Sequence, residues 1–487
     1  MRWWAVLIGA MALASWAPAQ AQTPVPDALA DPIYAPRPLV SLTHPEWSRN
    51  AVLYQLNTRQ FTPEGTFRAA QAQLPRLKSL GVDIIWLMPI HPIGELNRKG
   101  TLGSPYSVRD YFAVNPEFGT KEDLKAFVDA AHAEGMHVIL DWVANHTAWD
   151  NPLTVSHPEW YERDLDGNFR PTPWWDWSDI INLNYAHPGL RQYMTEALMY
   201  WVREVGVDGY RADVAGFVPL DFWNTARAQL DAIKPVFMLA EWEMRDMHYA
   251  AFDATYAWTW KEAMQAIAAG RADTGALFGF YSWNESAYPR EAMRMTYTSN
   301  HDQNAWEGTE YEKYGPAREA AIVLSVTGEG IPLIYNGQEV GNTRRLQFFE
   351  KDPIQWPADH ALDEQGRLYQ RLFMLKRANR ALQNGQWGGR MHQVVNSAPQ
   401  KVFSFFREKD GDQVFVILNL SGDPQTVTFS GRHHCGGYRD FTDHRRVQIT
   451  ADAQMTLEPW AWRVLTRNDM AAHGVPSSLR AEPCEIR

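Results

Sequence analysis

Acidic residues and histidines stand where four apolar runs of the sequence end. These ends read DWVANH (141–146), GYRADV (209–214), AEWE (240–243) and SNHD (299–302). Alternate residues of a strand point to the same face, so Arg211 and Asp213 are expected to project together. A guanidinium beside a carboxyl group favours its ionised form, and we therefore expect Arg211 to keep Asp213 charged. A purely structural ion pair is the alternative for these two residues alone.

Three of these carboxyl groups suit the hydrolysis of a glycosidic bond. That reaction needs one ionised carboxylate beside an oxocarbenium-like centre and a second carboxyl group that keeps its proton near neutral pH. Asp213 fits the first part because Arg211 pairs with it. Glu241 lies between the apolar run VFMLA and Trp242, and dry surroundings raise a carboxyl pKa, so Glu241 fits the general acid/base. Asp302 is left to hold the sugar or to stabilise the transition state.

The segment that must position these groups alternates between short apolar runs and amphipathic stretches. Eight runs have the length and composition of strands, and helical stretches such as 66–81 and 121–135 lie between them and end at Gly. This alternation predicts an α/β fold: a (β/α)8 TIM barrel over residues 51–382 with its catalytic groups at the carboxyl ends of the strands. The predicted strands are 51–57, 83–89, 137–143, 208–214, 236–242, 251–257, 294–300 and 331–337.

Two further segments differ from this pattern. Residues 147–185, after the third strand, are rich in Pro, Asn, Asp and Trp without a helical period, which predicts a short loop subdomain at the mouth of the barrel. From 383 to 467 short alternating runs predict a C-terminal antiparallel β-sandwich domain. Residues 468–487 are polar and are expected to form a loosely held tail.

The first 21 residues predict a signal peptide, followed by an N-terminal extension over 22–50. The apolar run from Trp3 to Trp16 is shorter than the roughly 20 residues of a membrane span, and Ala19-Gln20-Ala21 fits a cleavage site. We expect a secreted or periplasmic protein that begins near Gln22 and has no membrane attachment after cleavage. An uncleaved N-terminal anchor is the alternative.

The amino-acid composition limits the kinds of partner that the protein is expected to bind. The chain of 487 residues has a formal net charge of −11 and no basic cluster, which argues against nucleic acid or an anionic membrane as a partner. Its 22 Trp residues supply flat apolar rings that suit sugar faces, although most are expected in the core. Cys435 and Cys484 either pair or remain two thiols. Composition leaves the oligomeric state open.

The four strand ends resemble the four signature regions of the α-amylase family of glycoside hydrolases, glycoside hydrolase family 13. They occur in the family's order, at strands three, four, five and seven. Residues 103–120, 179–185 and 330–339 are similar to further family segments, and the resemblance extends more weakly to the C-terminal domain. It implies a (β/α)8 barrel with a loop domain after the third strand, in agreement with the alternation of runs.

The resemblance also implies a role for individual residues. Asp213 would be the nucleophile, Glu241 the general acid/base and Asp302 the transition-state stabiliser. The sugar at the cleavage point would be contacted by Tyr106, His146, Arg211 and His301. Supporting roles would fall to Asp141 and Asn145 at the barrel mouth and to Asp110 beside Tyr106.

Two positions depart from the family pattern. Many members carry Lys and His three and four residues after the nucleophile, where this chain has Gly216 and Phe217. That His commonly offers its carbonyl to calcium, so the departure argues against a calcium site despite Asn145. We expect no metal ligand and no required cofactor, with bound calcium as the alternative. Phe217 and Trp242 are expected to contact substrate.

The leading hypothesis is a retaining α-glucan hydrolase that cleaves α-1,4-glucosidic bonds in starch, maltodextrins or cyclodextrins. The same acids would serve a transglycosylase, glucanotransferase or isomerase of the family, for which Trp174-Trp175-Asp176-Trp177 could help to exclude water. A non-catalytic glucan-binding protein is the third hypothesis. The sequence contains no H-E-x-x-H, G-x-S-x-G or Walker-type loop, which disfavours other hydrolytic and nucleotide chemistries.

Overall fold

A closed barrel of parallel strands forms the larger part of the computed structural model, which describes residues 35–468. Eight of the first ten strands close this barrel, in the order β1-β10-β9-β8-β7-β6-β3-β2, and every adjacent pair is parallel. The ten strands are β1 (Leu53–Leu56), β2 (Ile84–Leu87), β3 (His137–Trp142), β4 (His146–Ala148), β5 (Ile180–Asn182), β6 (Gly209–Ala212), β7 (Phe237–Ala240), β8 (Ala254–Tyr256), β9 (Met293–Tyr297) and β10 (Ile331–Tyr335).

The predicted barrel is confirmed, and each of its eight predicted strands overlaps an observed one. Apolar side chains fill the interior, so the barrel is a packed core rather than a channel. The buried interior cluster comprises Ala51, Leu53, Ile84, Trp86, Ile139, Phe237, Leu239, Ala254, Tyr256, Met293, Met295, Tyr297, Ile331 and Leu333. Polar groups therefore collect where the strands end.

Helices cover the outside of the barrel. They are α1 (Thr58–Phe61), α2 (Phe67–Gln71), α3 (Leu74–Leu80), α4 (Lys121–Ala133), α5 (Leu153–Ser156), α6 (Pro188–Glu204), α7 (Leu220–Asp231), α8 (Trp258–Ala268), α9 (Gly275–Ala287), α10 (Glu310–Tyr314), α11 (Arg318–Thr327) and α12 (Glu364–Ala378). The single helix expected over 66–81 is two helices, because Pro75 has no N–H and its ring would clash with the preceding turn. Among residues 35–468, none of the helices has the length and apolar character of a membrane span.

The predicted loop subdomain after the third strand contains a small sheet. Strands β4 and β5 pair antiparallel, with His146 opposite Asn182. At its tip, Asp164 accepts hydrogen bonds from the backbone N–H groups of Asp166 and Asn168 at 3.0 and 2.8 Å, which closes a tight turn. The sheet fixes the start of the insertion against the barrel mouth.

The C-terminal domain is antiparallel, as predicted. Its strands are β11 (Met391–Gln393), β12 (Val402–Lys409), β13 (Asp412–Asn419), β14 (Gln425–Thr428), β15 (Gly436–Asp440), β16 (Arg446–Ile449), β17 (Gln454–Leu457) and β18 (Trp462–Arg467). Six form one sheet and β14 pairs with β17 in a second. Buried Arg407 donates to the carbonyls of Thr327 and Gly328 at 3.0 and 2.6 Å and so joins the domain to the end of α11. The predicted signal peptide, most of the tail and Cys484 lie outside the described residues.

Candidate active site

A single buried guanidinium lies at the carboxyl ends of β3, β6 and β7. Arg211 is fully buried, and its Nη1 donates to Asp141 Oδ1 at 2.8 Å and to Asp213 Oδ1 at 3.0 Å. Its Nη2 lies 2.7 Å from Glu241 Oε1. The expected contact between Arg211 and Asp213 is therefore present, but the same cation also neutralises two other carboxyl groups.

The register of the barrel places the two proposed reacting acids side by side. Ala212 pairs with Ala240, and Asp213 and Glu241 are the next residue of each strand. The N–H of Glu241 donates to the carbonyl of Ala212 at 3.0 Å, so the pairing continues to this level. Neighbouring strands lie about 4.8 Å apart, and residues on one level share an orientation. Both carboxyl groups therefore lie side by side at the barrel mouth, in contact with Arg211.

Burial raises the pKa values of the acids around Arg211. Burial raises the pKa of Asp213 well above its usual value, against the opposing effect of Arg211, and the nearby Glu241 and Asp141 raise it further. Burial also raises the pKa of Glu241, and it raises the pKa of Asp141 to about 6. Arg211 lowers the pKa of Asp213, as expected, but burial and the two neighbouring acids act in the opposite direction. One cation therefore serves three buried acids.

The residue after Asp213 has a strained backbone that serves Glu241. Val214 has φ 36° and ψ 48°, a left-handed conformation that is rare for a β-branched residue. In this conformation its N–H donates to Glu241 Oε2 at 2.7 Å. A backbone donor stabilises the charged carboxylate, so it partly opposes the effect of burial on Glu241. Strain of this kind persists where the surroundings enforce it, as they do at functional sites.

Tyr106 and His301 lie next to each other beside Asp141 at the barrel mouth. The Tyr106 hydroxyl donates to Asp141 Oδ2 at 3.0 Å and lies 2.7 Å from His301 Nε2. Gln55 Oε1 accepts the backbone N–H of His301, so Gln55 Nε2 is the donor to His301 Nδ1 at 2.6 Å. Burial lowers the pKa of His301 to about 3, which leaves a neutral ring with its proton on Nε2. Asp141, not the predicted Asp110, orients Tyr106, because the Asp110 side chain accepts the N–H of Phe112.

Asp302 lies at the open edge of the site. Its side chain is 43% exposed, and Oδ2 lies 3.3 Å from His301 Nε2. It immediately precedes a π-helix, Gln303–Glu307, a geometry that occurs often at functional sites. Partial desolvation by neighbouring side chains raises the pKa of Asp302 to about 6 although the side chain is accessible, and Arg211 opposes the rise. The three predicted acids therefore lie near enough for Asp302 to raise the pKa of Asp213 and Glu241, and Asp302 is the most exposed of them.

His146 is the first residue of β4 and follows the end of β3 closely. It is buried, burial lowers its pKa to about 4, and its ring centroid lies 6.0 Å from that of Trp177. Trp177 stacks on Trp175 at 5.0 Å, and Trp174 is fully exposed. The insertion thus supplies an aromatic surface that begins beside His146.

Phe217 and Trp242 form the opposite edge of the opening. Their ring centroids lie 5.3 Å apart, and Phe217 is 41% exposed. Trp242 lies directly on Gly216, where an added Cβ would stand 2.0 Å from Cε2 of the indole. Any side chain at position 216, including the Lys of the family pattern, would need this indole to move.

Sequence reasoning missed several residues that support the cluster. The Trp86 indole donates to Asp141 Oδ2 at 3.0 Å, and its ring lies 5.0 Å from the Arg211 guanidinium carbon. Tyr256 contacts the same guanidinium from the other side, with its ring centroid at 5.8 Å. Both lie on barrel strands and face its interior, so the alternation of strand residues was the signal that pointed to them.

The Asn145 side chain lies among neutral polar side chains. Asn145 Nδ2 lies 3.1 Å from His146 Nδ1 and 3.3 Å from both Thr172 Oγ1 and Asn182 Oδ1. Calcium takes six to eight oxygen ligands, among them carboxylates, and the side chains that Asn145 contacts here are neutral. The polar side chains around Asn145 are therefore hydrogen-bonded to one another.

Both domains of the chain match families of known proteins. The family model for the alpha amylase catalytic domain matches residues 55–180 and 174–371, and that for the maltogenic amylase C-terminal domain matches residues 392–464. Alpha-amylase MalA of Haloarcula japonica is 30% identical over 400 residues, which are 79% of this chain and 57% of MalA. A cyclomaltodextrinase of a Bacillus species is 26% identical over 444 residues, 80% of this chain and 76% of that protein.

A solved structure extends the comparison to the whole described fold. The crystal structure of a noncanonic maltogenic alpha-amylase, AmyB of Thermotoga neapolitana, superposes with a TM-score of 0.78 at 31% identity and covers 86% of this chain and 98% of that one. The likeness therefore includes the barrel and the C-terminal domain together. The chain spans little more than half the length of MalA but nearly all of AmyB.

Proposed function

The chain belongs to the α-amylase family of glycoside hydrolases, and from this premise we propose that it hydrolyses α-1,4-glucosidic bonds of starch, maltodextrins or cyclodextrins with retention of configuration. Asp213 is the proposed nucleophile, Glu241 the general acid/base and Asp302 the acid that stabilises the transition state. Tyr106, His146, Arg211 and His301 are the proposed contacts to the sugar whose bond breaks.

The proposed reaction has two displacements. In the first, a carboxylate oxygen of Asp213 attacks the anomeric carbon while Glu241 gives its proton to the departing glycosidic oxygen. In the second, Glu241 takes a proton from water, the water oxygen attacks the anomeric carbon, and Asp213 leaves as a carboxylate. Arg211 stabilises whichever of the two acids is charged, because its Nη1 and Nη2 face Asp213 and Glu241 separately.

The observation that carries this proposal is the shared level of Asp213 and Glu241. They continue the Ala212–Ala240 pair of adjacent parallel strands and contact one guanidinium. This arrangement favours the separation of about 5–5.5 Å between carboxyl groups that retaining glycosidases use, over the wider spacing of about 6.5–9.5 Å that admits a water molecule in inverting enzymes.

Proton NMR of maltotriose hydrolysis tests the stereochemistry. Retention predicts that the new reducing end, formed on the sugar whose anomeric carbon was attacked, appears first as the α-anomer and equilibrates later. Asp213→Asn and Glu241→Gln are expected to lower kcat by more than about 1,000-fold. In Glu241→Ala acting on an α-glycosyl fluoride, whose leaving group needs no proton, azide should restore turnover and give the α-glycosyl azide. A β-anomer formed first contradicts the mechanism.

Product analysis separates hydrolysis from transfer. The apolar pair Phe217 and Trp242 at the opening favours binding of a second sugar, which supports transglycosylation as a second candidate activity. With maltotriose, hydrolysis yields glucose and maltose, whereas transfer yields oligomers longer than the substrate. Parallel incubation with starch, cyclodextrin and pullulan defines the chain length and the linkage that are cleaved. Lack of turnover on all of them would favour a glucan-binding protein.

A further inference from the structure

A cluster of two histidines and one aspartate lies at the opposite end of the barrel from the catalytic acids. His137 is the first residue of β3, Asp208 immediately precedes β6, and His132 lies near the end of α4. The carboxyl ends of these parallel strands carry Arg211 and Asp213, so the cluster at their amino ends is separate from that site. The proposed hydrolysis uses none of its members.

The potential ligand atoms converge on one point. His132 Nε2 lies 2.7 Å and His137 Nδ1 lies 3.6 Å from Asp208 Oδ2, and all three atoms lie within 4.8 Å of one another. His137 Nδ1 is itself buried and makes no hydrogen bond. A buried ring nitrogen without a partner is costly unless something else occupies it.

Neighbouring residues hold the Asp208 carboxylate and the His137 ring in fixed orientations, as the residues around known metal sites hold the ligands. Lys234 Nζ donates to Asp208 Oδ1 at 2.8 Å, and the backbone N–H of Val138 donates to Oδ2 at 2.8 Å. His132 Nε2 forms the second hydrogen bond to Oδ2, at 2.7 Å, on the side where a metal ion could replace the shared proton. Trp47 stacks on His137 at a centroid distance of 3.8 Å and fixes the plane of its ring. Hydrogen-bonded carboxylates and fixed imidazoles are features of such sites.

We propose that His132, His137 and Asp208 bind a divalent transition-metal ion of the zinc class, with water as a fourth ligand. Imidazole and carboxylate suit zinc, whose bonds of about 2.0–2.2 Å place tetrahedral ligand atoms roughly 3.3 Å apart. The separation of 3.6 Å already fits, and the His132–Asp208 contact opens slightly when the ion replaces the shared proton. The ion joins α4 to β3 and β6 and stabilises the barrel away from its catalytic end.

The competing explanation is an ion-pair network that needs no metal. Lys234 and His132 both contact Asp208, and the charge of Lys234 weakens the attraction of the carboxylate for a cation. Three protein ligands outweigh this repulsion in our proposal because Lys234 binds the oxygen that faces away from His132 and His137. A measurement of zinc binding distinguishes the two explanations.

Thermal unfolding of the tag-free, metal-stripped chain with and without zinc chloride tests the proposal. Zinc is expected to raise the melting temperature of the wild type by mass action. In His132→Gln and His137→Gln, zinc affinity should fall at least about tenfold. The control His157→Gln, an exposed histidine beside Glu159, should keep the wild-type response.

Cobalt(II) provides a second measurement that does not depend on the stability of the variants. Wild-type protein should give the visible absorption of four-coordinate cobalt, and zinc should displace it. Absence of both the cobalt band and the zinc-dependent shift in the wild type overturns the proposal. An unchanged zinc shift in both histidine variants overturns it as well, because the ion would then bind elsewhere.

Discussion

The indole of Trp242 lies on the α-carbon of Gly216, so closely that a β-carbon at position 216 would stand 2.0 Å from the ring. Trp242 follows Glu241 directly, and Gly216 lies three residues after Asp213. The packing of one residue on the other therefore links the two loops that carry the proposed reacting acids. Neither loop can shift by much without disturbing this contact.

Gly216→Ala is expected to impair catalysis through this contact. The new methyl group must push Trp242 away, and a displacement of about 1 Å at a reacting group can cost about 100-fold in rate. We expect kcat on maltotriose to fall by about 10- to 100-fold. Gly279→Ala is the matched control because its β-carbon meets open space. Equal activity of both variants would show that the Trp242 contact does not position Glu241.

Val214→Gly is expected to retain activity and to keep or increase stability. The left-handed conformation costs an L-residue about 1–2 kcal/mol, which glycine avoids, although glycine gives back about 0.5–1 kcal/mol in backbone entropy. The N–H that binds Glu241 remains. Urea unfolding and kcat are the measurements. The same change at Val155, in helix α5, should lower the free energy of unfolding, and a larger loss at position 214 than at 155 would contradict the strain argument.

The sequence predicted the strands that carry the site, and the positions of its residues on them, more completely than it predicted the pKa values of the acids. Apolar alternation located all eight barrel strands, and the i, i+2 relation correctly placed Arg211 and Asp213 together. The contact of Arg211 with Glu241 depends on register between β6 and β7, which no local pattern encodes. Burial is likewise a property of the closed barrel, so the raised pKa of Asp213 could not be read from its neighbours in the chain.

The strained backbone at Val214 could not be predicted from the sequence either. Val214 favours extended structure by its chemistry, and its left-handed conformation follows from the turn that brings its N–H to Glu241. The expectation for Asp110 failed for a related reason. Asp110 is close to Tyr106 in sequence, whereas Asp141 reaches the hydroxyl from an adjacent strand.

Calcium is expected to have no effect on activity or stability. Asn145 Nδ2 donates to neutral side chains, whereas calcium prefers sites that include carboxylates. Addition of millimolar calcium chloride to metal-stripped protein should leave the melting temperature and kcat unchanged. Zinc is the comparison in the same assay, because it should stabilise the protein through His132 and His137. A calcium-dependent rise in kcat would show that the insertion binds the ion after all.

Export with removal of the first 21 residues is a prediction that the sequence alone supports. Expression of the full chain in a Gram-negative host should place the protein in the periplasm or the medium. Mass spectrometry of the purified protein should then give an N-terminus at or near Gln22. Replacement of Ala19 and Ala21 by bulky residues should block cleavage. Recovery of uncleaved wild-type chain in the membrane fraction would favour an N-terminal anchor.

Asp302→Asn is expected to abolish activity yet stabilise the fold above pH 6. The native pKa of about 6 exceeds the ordinary value of 3.8, so the folded chain binds more protons than the unfolded chain between these values. Wild-type stability therefore falls as pH rises through this window, and asparagine removes that cost. Because the side chain is 43% exposed, solvent screening limits the gain, and we expect a rise in melting temperature of roughly 1–3 °C at pH 7.5.

The pH dependence of this gain is the decisive measurement. The stability difference between Asp302→Asn and the wild type should shrink between pH 6 and pH 4. Glu312→Gln is a control of opposite sign, because contact with Arg345 lowers the pKa of Glu312 to about 2. That substitution should lower the melting temperature at pH 7.5 rather than raise it. A gain for Asp302→Asn that is equal at pH 4.5 and pH 7.5 would mean that the carboxyl group of Asp302 does not titrate with a raised pKa.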